Sequence, residues 1–128
     1  GRGISASHPE TAMDEAFSRY LNGEDYMQIF AADVEKSQVD RALEAWKNDG
    51  AQASLSSDGR QAYWDLRGEE PKLGKNEELF AIYSIGGSLW SQGLKGYVII
   101  REDTKADTYY IVDFDYWGAG QPSPRPER

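Results

Sequence analysis

The sequence predicts an α+β domain in which two or three N-terminal helices pack on one face of a curved antiparallel sheet of about five strands. Two observations carry this. Apolar residues recur at helical spacing from Met13 to Trp46, and the period switches to two from Ala51 onward. The stretch Leu79 to Trp117 then holds most of the large apolar side chains, in or just before it, and reads as three strands. Helices followed by strands, without alternation of the two, define the α+β class.

Gly1 to Ala6 is small and polar and reads as a frayed N-terminus. Ser7-His8-Pro9-Glu10 matches a capping box, with Glu three residues after the Ser cap and Pro in the first turn, where its missing N–H costs nothing. Met13, Ala16, Phe17, Tyr20 and Leu21 follow as one apolar stripe, and Asn22-Gly23 is a stop signal. Tyr26, Met27, Ile29 and Phe30 suit a short second helix. Val39, Ala42, Leu43 and Trp46 define a further stripe, capped by Asp33 or Ser37 and ended by Asn48-Asp49-Gly50. Whether residues 24–49 form one bent helix or two stays open at this level.

The pair Asp58-Gly59 lies between Ala51–Ser57 and Arg60–Arg67 and predicts a type I′ hairpin joining two strands. Gly68 to Glu78 is a charged loop longer than the usual connection, either functional or slack. Leu79–Ile85, Leu94–Arg101 and Thr108–Trp117 are the remaining strands, with a glycine-rich connection at Gly86–Gly93 and a polar turn at Glu102–Asp107. Residues 119–128, with proline at every second position of Pro122-Ser-Pro-Arg-Pro, read as a disordered Pro-rich tail. One domain over residues 7–118 is therefore expected. Its element order resembles the nuclear-transport-factor-2-like and cystatin-like classes, and that resemblance implies a cone-shaped sheet with a pocket beneath the helices.

Charge narrows the partners. With 22 acidic against 14 basic residues the formal net charge is −8, and there is no basic run. Phosphate backbones and anionic membranes are bound by clustered Lys and Arg, so neither nucleic acid nor a membrane is an expected partner; a protein with a basic surface is. No window holds the ~18 apolar residues that cross a bilayer. The chain starts Gly-Arg-Gly, as a processed or trimmed chain does. A soluble bacterial-type protein is expected, either cytoplasmic or periplasmic or secreted after signal removal.

The chemistry available is also narrow. There is no cysteine, which removes thiolate nucleophiles, disulfides and the usual structural zinc sites. The single histidine, His8, falls in a helix cap, so no Ser-His-Asp arrangement and no histidine-based metal site is expected. Gly86-Gly87-Ser88-Leu89-Trp90 lacks the Gly-Lys-Ser/Thr ending of a phosphate loop. No catalytic residue, metal or cofactor is assigned.

The last strand carries the most suggestive constellation. Strict alternation sends Tyr110, Val112, Phe114 and Tyr116 to the core and Tyr109, Ile111, Asp113, Asp115 and Trp117 to the other face. Two carboxylates about 7 Å apart, flanked by aromatic rings, have the composition of an interface patch. Trp90, Tyr109, Asp113, Asp115 and Trp117 are accordingly the expected partner-binding residues. The favoured function is a small acidic, non-catalytic protein-binding module of the inhibitor or toxin-immunity type; a homodimer stays open. The alternative is a pocketed domain that binds or transforms a small apolar molecule among Tyr20, Tyr26, Tyr83, Tyr97 and Tyr110.

Overall fold

A computed structural model describes residues 4–5, 12–48, 53–84 and 94–116 of the chain. Its elements are β1 (Ile4–Ser5), α1 (Ala12–Leu21), a 3₁₀ turn (Tyr26–Gln28), α2 (Lys36–Asn48), β2 (Ala53–Ser57), α3 (Arg60–Arg67), β3 (Glu77–Ser84), β4 (Leu94–Asp103) and β5 (Thr108–Tyr116). Four strands form an open antiparallel sheet in the order β5-β4-β3-β2, and the two-residue β1 pairs with the outer edge of β5. The α+β class is as the sequence predicts. The expected capping box, the Gly86–Gly93 connection, Trp90, Trp117 and the proline-spaced tail lie outside the described residues.

The α1 stripe buries Ala12, Met13, Ala16 and Phe17 and half-buries Tyr20, while Leu21 at the helix end is 49% exposed. Gly23, at φ 90°, closes the helix: its N–H donates to the Tyr20 carbonyl and the Glu24 N–H to the Arg19 carbonyl, at 3.1 and 3.2 Å. These are the two bonds of a Schellman motif, and Gly adopts the left-handed residue it requires without a Cβ penalty. Residues 24–48 resolve into the 3₁₀ turn, whose cap Asp25 accepts from the Met27 N–H, and the separate helix α2. Val39, Ala42 and Trp46 of the predicted stripe are buried and Leu43 half-buried.

The predicted hairpin at Asp58-Gly59 does not form. A type I′ turn needs positive φ at both central residues, and here Asp58 has φ 65° but Gly59 has φ −86°. Gly59 instead opens α3. A Cβ on it would lie 2.5 Å from the backbone carbon of Phe80, so only glycine brings the chain this close to β3. Ala62, Tyr63 and Leu66 are buried at helical spacing, and Gly68 at φ 72° caps the helix by donating to the Trp64 carbonyl at 2.8 Å. Trp64 is 46% exposed on the outer side of α3.

The helices therefore occupy both faces of the sheet, not one. α1 and α2 cover Ala53, Ile82, Val98, Ile100, Ile111, Phe114 and Tyr116, with Phe17 in edge contact with Phe114 and Tyr116 and 5.4 Å from Trp46 between ring centres. α3 covers Leu79, Ala81, Tyr97 and Ile99 on the opposite face. No helix among the described residues is long and apolar enough to cross a membrane.

A β-bulge decides the facing of β5. Ile99 pairs with Asp113 but Ile100 pairs with Ile111, leaving Val112 as an extra residue. The alternation slips by one there. Tyr109 and Ile111 before the bulge, and Phe114 and Tyr116 after it, all face α1 and α2, whereas Val112 faces α3. The strict alternation expected from sequence is thus corrected: Tyr109 and Ile111 share the face of Phe114 and Tyr116, and Val112 leaves it.

Candidate binding groove

At the end of the sheet that carries Glu78, Glu102 and Tyr109, the described residues leave the α1/α2 face open in a groove of about 440 Å³. Its position follows from strand register. Glu78 lies opposite Ile100, Glu102 opposite Tyr109, and Phe80 opposite both Ser57 and Val98. Continuing the apolar phase of each strand to this end brings Glu78 after Phe80 and Ile82, and Glu102 after Val98 and Ile100. Leu55, Phe80 and Ile100 make the floor, and Glu78, Glu102 and Tyr109 stand at its sides. Since Glu102 is two residues beyond the partner of Glu78, the two carboxylates are diagonal neighbours, about 7–8 Å apart at the backbone.

The turn before β3 shapes the near wall. Asn76 takes the left-handed conformation at φ 65°, and its carbonyl accepts from the Glu102 N–H at 2.9 Å. Glu77 folds back so that its carboxylate accepts from the Gly74 N–H at 2.7 Å. Among the described residues no cation pairs with Glu78 or Glu102; the ion pairs there join Arg19 to Glu15 and Glu24, Lys36 to Asp40, and Arg60 to Asp58. Burial, then the charges of Glu102, Glu78 and Asp107, raise the Tyr109 pKa above the usual phenol value, so its hydroxyl stays protonated and can donate. An apolar floor, an aromatic ring and two carboxylates with no counter-ion among the described residues can hold a cationic group that carries an apolar stem.

The other acidic residues expected at an interface lie elsewhere. Asp113 and Asp115 face α3, where Asp115 is only 4% exposed and Asp113 is half-buried. The buried Tyr97 donates its hydroxyl to Asp113 Oδ2 at 2.8 Å, and its ring lies 4.7 Å from that of Tyr63. Burial first, then the Asp113 charge and this bond, push the Tyr97 pKa far above its usual value. Arg67, in the last turn of α3, sits 6.0 Å over the Tyr63 ring. Burial opposes its charge, but the oxygens of Tyr97, Asp113, Tyr63 and Asp115 outweigh that and raise its pKa. This cluster ties α3 to the sheet. The structure therefore separates Tyr109 from Asp113 and Asp115 by the thickness of the sheet; Trp90 and Trp117 lie outside the described residues. Sequence reasoning missed Glu78, Glu102 and Phe80, although acidic residues in the apolar phase of two strands were a signal for an uncovered sheet end.

Among the described residues no group of three or more His, Asp or Glu side chains is placed to hold a metal ion. Comparison of the chain with protein-family models, curated proteins and solved structures finds no match.

Proposed function

We infer that this chain is a small acidic binding module without catalytic activity that engages a basic protein surface, in the manner of inhibitors and toxin-neutralising proteins. The observation that carries the reading is the pair Glu78 and Glu102, with Tyr109 beside Glu102, over an apolar floor on adjacent strands. The net charge of −8 steers a basic partner toward such a groove, and the aromatic and apolar surface then holds it. Tyr109 keeps the interface role expected for it, while Asp113 and Asp115 serve the attachment of α3. The pocketed alternative, with its nuclear-transport-factor-2-like cone, asks for five tyrosines around one cavity. Tyr20 and Tyr26 instead pack with Phe30, Tyr83 is 38% exposed, Tyr97 lies under α3, and Tyr110 sits beneath Arg101.

The test is to immobilise wild type and the Glu78→Gln/Glu102→Gln variant and to measure association of a panel of basic proteins from about 0.05 to about 0.5 M salt. Wild type should bind a subset, with an association rate that falls at least about tenfold over this range, and the variant should lose that binding. Association independent of salt, or equal in the variant, would overturn the reading.

A further inference from the structure

The groove also discriminates between the two kinds of basic side chain. Resting on the reading above, we propose that it is an arginine site, in which the guanidinium of a partner's arginine lies against the Tyr109 ring and bridges Glu78 and Glu102.

Three features favour arginine over lysine. The first is the separation of the carboxylates. Diagonal positions on β3 and β4 stand about 7–8 Å apart at the backbone, so two flexible glutamate side chains rise from separate points, and a planar fork offers each its own N–H donors. An ammonium is a single point and engages one carboxylate well at a time. The second is Tyr109. Glu102 is its direct cross-strand neighbour, so a guanidinium paired with Glu102 is brought beside the phenol ring, where it can stack. The third is the floor of Leu55, Phe80 and Ile100, which takes the methylene stem of a long side chain whose charged head stays at the rim. The groove volume of about 440 Å³ lies in the lower part of the range for ligand pockets and suits one long side chain with its flanking backbone.

The fold already holds one such arrangement. On the opposite face Arg67 lies over the Tyr63 ring among Asp113, Asp115 and Tyr97, but there the arginine belongs to the chain itself. The groove has the ring and the two carboxylates on strands, and among the described residues no cation pairs with those carboxylates.

The test uses three probes with the same backbone, the Nα-acetyl amides of arginine, lysine and citrulline, titrated into the full chain while backbone amide shifts are followed. Arginine should shift the amides of Glu78, Ile100, Glu102 and Tyr109 with millimolar affinity, lysine should bind at least about threefold more weakly, and citrulline should not bind. Tyr109→Leu should reduce the arginine preference but keep salt-dependent binding of both cations, whereas Tyr109→Phe should keep the preference in full. Glu102→Gln should weaken arginine about tenfold. Equal affinity for arginine and lysine, or a preference unaltered in Tyr109→Leu, overturns the arginine assignment while charge-dependent capture of basic proteins stands. Loss of that capture's dependence on Glu78 and Glu102 overturns the reading beneath it.

Discussion

Tyr97→Phe isolates the bond that joins the α3 face of the sheet together. The substitution removes one oxygen and leaves the ring, so no cavity larger than a hydroxyl appears and the contact with Tyr63 is kept. What is lost is a 2.8 Å bond from a fully buried donor to a carboxylate. Hydrogen bonds to charged acceptors contribute about 1.5–3 kcal/mol net. Asp113 is half-buried, so water can replace the tyrosine hydroxyl on its outer side, and the expected loss is at the low end, about 1.5 kcal/mol. With a urea m-value of about 2 kcal/mol/M, the unfolding midpoint should fall by about 0.8 M without a change in slope. Unfolding followed by tryptophan fluorescence reads this directly. A cycle with Asp113→Ala should give a coupling energy of about 1 kcal/mol or more, while Asp113→Asn, which retains an acceptor for the hydroxyl, should lose less than Asp113→Ala. A Tyr97→Phe stability within about 0.5 kcal/mol of wild type, together with zero coupling, would refute the view that this bond braces β4 against β5 beneath α3.

Two more predictions concern packing and pH. Gly96→Ala places a Cβ 1.9 Å from the Asp115 backbone oxygen, a contact that only separation of β4 and β5 relieves, so a loss at the upper end of overpacking costs, about 3 kcal/mol, should appear in chemical denaturation. Asp14, in the first turn of α1, has its pKa raised from the usual 3.8, first by burial, which the Trp46 indole partly offsets. The folded chain then holds this proton more tightly than the unfolded one, so Asp14 lowers stability progressively as pH rises from about 3.8 through the raised value. Asp14→Asn removes that slope, and its stability relative to wild type should improve from acid to neutral pH when the two are unfolded in parallel.

How far the sequence could be read depended on how many faces each element buries. α1 and α2 each bury one stripe, and a single stripe at helical spacing leaves no competing interpretation. α3 is short, and adjacent Tyr63 and Trp64 after Asp58-Gly59 satisfy strand alternation about as well as helical spacing. What selects the helix is long-range: the close approach of Gly59 to the Phe80 backbone and the burial of Tyr63 and Leu66 on a sheet face that local sequence does not reveal. The last strand was recognisable, but its facing was not, because in Tyr109–Tyr116 both phases offer apolar residues to a core. The bulge at Val112 uses one phase on each side, and nothing local to Val112 marks it. The groove depended on this error. With Tyr109 read as facing away from Phe114, no pattern could unite it with Glu78 and Glu102.

The same register explains why one end of the α1/α2 face is closed and the other open. The outer edge of β5 is engaged at successive points: β1 pairs with Thr108 and Tyr109, the Ala31 N–H donates to the Ile111 carbonyl, and the Gln38 side-chain amide donates to the Phe114 carbonyl. Two of these links come from the segment connecting α1 to α2 and from the start of α2. They fix the helix pair over Ile111, Phe114 and Tyr116, while Glu78, in the cross-strand row of Ile100 and Ile111, and Glu102 stay exposed at the rim of that face. The carboxylates thus occupy the part of the apolar phase that the helices do not reach, where burying them would have required a buried cation. Because Glu78, Phe80, Ile100, Glu102 and Tyr109 all stand on three consecutive strands of the sheet, their backbone geometry is set before any partner arrives. Little ordering cost then falls on binding, so a shallow groove with two carboxylates can be selective without a conformational change.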